Sequence, residues 1–191
     1  MRATFQNEAM VVQDVPQIRP LFRDEYDKLI ALGAFEDERI ELLEGALVEM
    51  SPPGPPHSSA VDMLTMLLVP ALVGRAIVRV QGPFAAERIS EPEPDLMVMP
   101  LGDYTSSHPE QAQLVIEVSE SSLRKDRGIK QRIYARNGVQ DYWIVNLVER
   151  VVEVYREPEG DRYASVQRFA PGASITLLAF PDVVVSVSSV L

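Results

Sequence analysis

LVIEVSESSLRKDRGIKQRIYARNGVQDYWIVN, residues 114–146, decides the fold. Its first six residues are apolar except for Glu117 and Ser119, as in a central strand buried on both faces. Ser121 or Ser122 then stands where a helix cap belongs, and Gly138 stands where the helix must stop. VQDYWIVNL (139–147) is a second buried strand. On the C-terminal side, RVVEVYREPEGDRYASVQRFA (150–170) predicts a hairpin turning at Glu159, Gly160 and Asp161, and the tail has strand propensity. Toward the N-terminus, EPDLMVM (93–99) holds a short strand from Asp95, and AIVRVQGPFAAERI (76–89) holds one or two more. AVDMLTMLLVPAL (60–72) predicts a helix apolar on nearly all sides, lying well buried across a sheet. Ser58 or Ser59, at the end of the proline-rich loop 51–60, is expected to cap it. RIELLEGALVEM (39–50) reads as strand, turn at Gly45, strand, and RDEYDKLIALGAF (23–35) as an amphipathic helix. Pro16 and Pro20 predict an extended arm over residues 1–20. Residues 21–191 then form one domain, an α/β or α+β fold built round a mixed sheet.

Composition narrows the chemistry. Apolar residues are 46% of the chain, ample for a core. Absence of cysteine excludes disulfides and thiolate metal sites, and two histidines, His57 and His108, are too few for a histidine-rich zinc site. A metal site must therefore be mostly carboxylate, which favours magnesium, manganese or calcium. The sequence contains no G-x-S-x-G elbow, P-loop, dinucleotide fingerprint or H-E-x-x-H. With no signal-peptide order at the N-terminus and no apolar run of membrane-spanning length, the expected location is the cytoplasm. The net charge of −10 counts against a simple nucleic-acid binder. A local basic strip runs against that balance: Arg124, Lys125, Arg127, Lys130, Arg132 and Arg136 hold six of the 18 basic residues.

Two acids break apolar strands. If the strands of Asp95 and Glu117 are adjacent and antiparallel, the two carboxylates converge at one end of the sheet, a standard arrangement for a hard cation. A plainer reading has Glu117 facing solvent beside Val115 and Ser119, and Asp95 as a turn acid. Lys130 borders the sheet-facing stripe of its helix, so it could reach such a site; spacing alone favours an exposed ion pair with Asp126. Glu41 or Glu44 could add a ligand from the ELLEG strand, the alternative being a solvated hairpin edge. His57, in the loop before a helix N-terminus, could contact a phosphate or metal-bound water, although a lone loop histidine is more often a packing residue. His108 has no evident partner.

RIELLEGALVEMSPPGPPHSSAVDMLTMLL, EPDLMVM, the 114–146 stretch and RVVEVYR together resemble the Uma family of bacterial restriction-endonuclease-like proteins, within the PD-(D/E)XK superfamily. The resemblance spans roughly residues 20–180. It implies a restriction-endonuclease-like mixed sheet flanked by helices, and Asp95 and Glu117 as paired ligands for Mg²⁺ or Mn²⁺; a backbone carbonyl near Val118 is a further candidate ligand. The lysine of the E-x-K signature would fall at position 119, which is Ser119; the resemblance moves that role to Lys130 on the following helix. Glu41 matches the acid of an E-L-x-[DE]-G element and His57 the histidine after the proline loop. The implied activity is a DNA endonuclease, expected to work as a homodimer. The alternative is a catalytically inactive module of the same fold that binds nucleic acid or protein.

Overall fold

The structure is a computed structural model that describes residues 18–191. The arm expected at the N-terminus lies outside the described residues up to position 17. Helix α1 (Arg23–Ala31) leads to a hairpin of β1 (Ile40–Leu43) and β2 (Ala46–Glu49). The hairpin turn places Glu44 and Gly45 at positive φ, 49° and 80°. Glycine is required at 45, since a side chain there would run into Pro20.

Helix α2 (Pro55–Leu72) begins three residues before the expected serine caps. Gly54 is its N-cap and Pro55 and Pro56 fill the first turn, where proline's missing N–H costs nothing. His57 consequently sits in the first turn of α2 and not in a loop. The helix buries one stripe, Ala60, Val61, Leu64, Leu68 and Leu72, while Met66 and Val69 face outward. Each fully buried leucine in that stripe contributes on the order of 2 kcal/mol of transfer free energy.

The sheet has six strands in the order β3 (Ile77–Val80), β4 (Leu96–Met99), β5 (Leu114–Ser119), β6 (Asp141–Asn146), β7 (Val151–Glu159) and β8 (Arg162–Phe169). Only β5 and β6 are parallel, so the sheet is mixed. The β5–β6 crossover is one helical rod: α3 (Leu123–Lys125), a π-helical turn (Asp126–Lys130) and α4 (Gln131–Arg136), ended by Gly138 at φ 70°. A small pair, β9 (Ser174–Thr176) and β10 (Val184–Ser186), completes the chain.

Side-chain alternation divides the core. Leu96, Val98, Ile116, Val118, Trp143 and Val145 pack beneath α2 and β9–β10. Met97, Val115, Tyr142 and Ile144 face the other way, onto Tyr134 and Ala135 of α4. Glu117 shares that second face with Val115, yet it is only 3% exposed because the helical rod covers it. The solvent-facing reading of Glu117 is thereby corrected: the alternation holds, but the face is roofed. Among the described residues, no helix is long and apolar enough to cross a membrane.

Candidate active site

Strands β4 and β5 pair antiparallel with Leu96 opposite Ile116, so one step further sets Asp95 opposite Glu117. The Val118 N–H donates to Asp95 Oδ2 at 2.8 Å, which fixes the aspartate against the neighbouring strand. His57 Nε2 lies 3.1 Å from both Asp95 oxygens. That hydrogen bond raises the His57 pKa above its ordinary value, against the opposing effect of burial. The other ring nitrogen, Nδ1, is buried with no hydrogen-bond partner among the described residues.

Glu117 is held through one oxygen. Its Oε1 accepts from the Tyr134 hydroxyl at 2.6 Å and from Lys130 Nζ at 2.9 Å, leaving Oε2 without a hydrogen bond among the described residues. Burial pushes the Glu117 carboxyl up to about 8, with Lys130 pulling the other way. Lys130 is 3% exposed. Its three N–H groups reach Glu117 Oε1, Glu41 Oε2 at 3.0 Å and the Glu93 carbonyl at 3.3 Å. Burial works against the ammonium, but Glu117, Glu41 and Asp126 outweigh it and hold its pKa well above the lysine range. The expected exposed ion pair with Asp126 is therefore corrected: Lys130 turns inward, to strand acids.

The π-helical turn accounts for that direction. It widens the rod between 126 and 130 and leaves both Asp126 and Lys130 buried. Asp126 Oδ2 accepts from Ser119 Oγ and Ser122 Oγ, each at 2.5 Å, while Oδ1 is buried without a partner. Ser122 does stand at the helix N-cap, but its hydroxyl serves Asp126 and not the backbone. Burial, the largest influence, raises the Asp126 pKa.

Glu41 is wholly buried, not a solvated edge. Lys125 Nζ donates to its Oε1 at 2.6 Å, and Lys130 and the Glu93 N–H engage Oε2. Burial would raise its pKa, but the two lysines overcome this and lower it. Both Glu41 oxygens are thus occupied, which suits a residue that positions lysines. Glu44 turns away, to Arg132 and Arg136.

These groups surround a cleft of about 650 Å³ lined by His57, Asp95, Glu117, Asp126 and Lys130, with Arg39 and Arg124 also on its walls. The structure thus brings together Asp95, Glu117, Lys130, Glu41 and His57. Tyr134 and Asp126 join them; the sequence pattern marks Asp126 only as an exposed partner of Lys130 and does not mark Tyr134. A tyrosine in a core stripe carries no mark of its hydroxyl's partner. The family model described as "Uma2: Putative restriction endonuclease" matches residues 23–188.

The chain belongs to the Uma2 family. A similar fold is seen in a crystal structure described as "a putative nuclease belonging to DUF820" from Anabaena variabilis ATCC 29413. That structure aligns with a TM-score of 0.65 at 19% identity, over 90% of this chain and 97% of the other. No curated protein matches the sequence.

Two carboxylates on one cleft wall, one with a free oxygen, fit an oxygen-preferring cation in this Uma2 chain. Among the described residues, no three acidic or histidine side chains are grouped to hold a metal ion by themselves. Water and substrate oxygens would complete such a shell, as is usual for magnesium.

The basic strip does not form a free cationic surface. Lys125 and Lys130 are committed to Glu41 and Glu117, Arg127 to Glu149 and Glu153, Arg132 to Glu44, and Arg136 to Glu44 and Glu87. Arg124 alone of the six has no ion pair among the described residues.

Behind the cleft lies a second recess of about 480 Å³ that shares Glu93 with it and includes His108. Its buried Glu91 has Arg23 Nε 4.0 Å away and no hydrogen bond to its carboxylate among the described residues. Burial first, then Asp27 and Glu93, push this carboxyl up to about 7, against Arg23. The folded protein therefore holds a proton between about pH 4.5 and 7 that the unfolded chain releases, and stability falls as pH rises through that window. Glu91→Gln should remove this loss, giving on the order of 2 kcal/mol more stability than wild type at pH 8 and little difference at pH 4.5. Urea unfolding at the two pH values checks it; an equal offset at both would sink the assignment.

Proposed function

We propose that this Uma2 chain is a divalent-metal-dependent nuclease that hydrolyses DNA phosphodiester bonds in the cleft beside β4 and β5. The observation that carries the reading is the juxtaposition of Asp95 and Glu117 across paired strands, with the buried Lys130 ammonium 2.9 Å from Glu117. Family membership supports it. Asp95 and Glu117 would hold Mg²⁺ or Mn²⁺, which when bound neutralises phosphate charge and acidifies a water. Val118 N–H and His57 orient Asp95; Tyr134 and Lys130 pin one oxygen of Glu117 and leave the other to the cleft. Glu41 holds Lys125 and Lys130 in place. An entering phosphate or attacking water would take over the longest Lys130 contact, that to the Glu93 carbonyl.

One observation favours a second reading, a nuclease-fold module that binds without cutting. Ser119 occupies the E-x-K lysine position and spends its hydroxyl on Asp126, and all three Lys130 N–H groups are already engaged. Calorimetric titration of Mn²⁺ into wild type and Asp95→Ala, with nicking of supercoiled and single-stranded DNA followed on the same samples, separates the two. Ion binding and nicking that Asp95→Ala loses together, affinity falling at least about tenfold, is the nuclease result. Ion binding without nicking at any divalent metal selects the second reading. Equal ion binding by both proteins removes the metal site.

A further inference from the structure

The walls of the cleft specify which nucleic acid can enter it. A duplex binder advertises many uncommitted cations, because each phosphate it neutralises needs one. Here the helix that looks basic in sequence is neutralised from within, by Glu41, Glu44, Glu87, Glu117, Glu149 and Glu153. Two guanidiniums remain on the cleft walls with no ion pair among the described residues: Arg39, just before β1, and Arg124, on α3. Both are exposed. The hairpin and the helical rod that carry them face each other, since Lys125 and Lys130 on the rod bond to Glu41 on β1. The cleft volume, about 650 Å³, falls within the range of a small-ligand recess. No Phe, Tyr or Trp is among its lining residues, so bases find no stacking platform there. The chain as a whole carries a net charge of −10, which disfavours a long polyanion lying across it.

We infer that the cleft takes a single nucleic-acid strand, or a frayed end, gripped through about two phosphates by Arg39 and Arg124 and without base preference. This rests on the phosphodiesterase reading of the same cleft and names its substrate class. Two neutralised phosphates on a single strand give a slope of log affinity against log salt of about −1.4, hence only a roughly sevenfold loss between 50 and 200 mM. A duplex binder with six to ten contacts loses about 10³- to 10⁵-fold over the same range.

The test is fluorescence-polarisation binding without divalent metal, so that affinity is read apart from cleavage. Labelled single-stranded DNA, single-stranded RNA of the same sequence and the DNA duplex are titrated at several salt concentrations, with wild type, Arg39→Gln and Arg124→Gln. Both arginines are exposed and have no ion pair among the described residues, so the variants keep the fold. The expected result is tighter binding of single strands than duplex, a slope near −1.4, and a slope shallower by about 0.7 in each variant. Whichever of DNA and RNA is held tighter names the source of the strand. Preference for the duplex, a slope steeper than about −4, variants with an unchanged slope, or no binding of any strand overturns the inference. Failure of the nuclease reading appears elsewhere, as no cleavage with Mn²⁺, and leaves this measurement intact.

Discussion

Lys130→Met is expected to destabilise the fold by about 3–5 kcal/mol at pH 8, the cost of removing one partner from a buried ion network. The methionine fills most of the volume, so the loss is electrostatic and not a cavity effect. What it leaves behind is two carboxylates, Glu41 wholly buried and Glu117 3% exposed. Glu41 retains Lys125 and the Glu93 N–H, and Glu117 retains only the Tyr134 hydroxyl. The variant can escape part of the penalty by taking up protons. Glu117 is already raised to about 8 with Lys130 present, and the low pKa of Glu41 depends on Lys130 and Lys125. Without the lysine both move upward. The native state then holds protons that the unfolded chain, titrating near the ordinary value, has released, so native stability falls as pH rises. The deficit relative to wild type should be small near pH 5 and largest above pH 8. Urea unfolding of both proteins across that range checks the slope. A deficit independent of pH would mean that Lys130 contributes packing alone.

How much of this was legible beforehand depends on the range of each interaction. Alternation in LVIEVS put Val115, Glu117 and Ser119 on one face, which is local geometry. Whether that face met water or a helix was not local, and only the rod 123–136 packing over it decides the burial of Glu117. The antiparallel pairing of β4 and β5, on which the meeting of Asp95 and Glu117 depends, is a long-range contact that local pattern leaves open and the structure contains. Lys130 was placed by uniform α-helical spacing at the border of the buried stripe. The π-helical turn breaks that spacing and turns it fully inward, and no residue in DRGIK announces such a turn. The start of α2 is legible in Gly54 followed by Pro55 and Pro56, an N-terminal signature, whereas counting every proline as a breaker assigns the same residues to a loop. The basic strip misled for the opposite reason. Its partners Glu44, Glu87, Glu149 and Glu153 lie far along the chain, so its neutralisation cannot be read from charge spacing.

Glu117→Gln is expected to lower phosphodiester cleavage on the order of 10³-fold, the several kcal/mol that a metal's charge stabilisation is worth in the transition state. The fold should be unharmed. Glutamine is nearly isosteric, its amide oxygen still accepts from Tyr134 and Lys130, and Lys130 keeps Glu41. Stability should even favour the variant as pH rises. Wild-type Glu117, raised to about 8 by burial, binds a proton in the native state that the unfolded chain lacks above about pH 4.5, so wild type loses stability between those values and glutamine does not. Activity and stability would then move in opposite directions, the mark of a residue kept for chemistry at the expense of the fold. A carboxylate present only to satisfy Lys130 predicts the reverse: unchanged cleavage and lower stability at every pH. Initial rates of plasmid nicking with Mn²⁺, set beside urea unfolding at pH 6 and pH 9, distinguish the two. Loss of both activity and stability would make Glu117 a structural partner of Lys130, and would leave Asp95 without its opposing ligand.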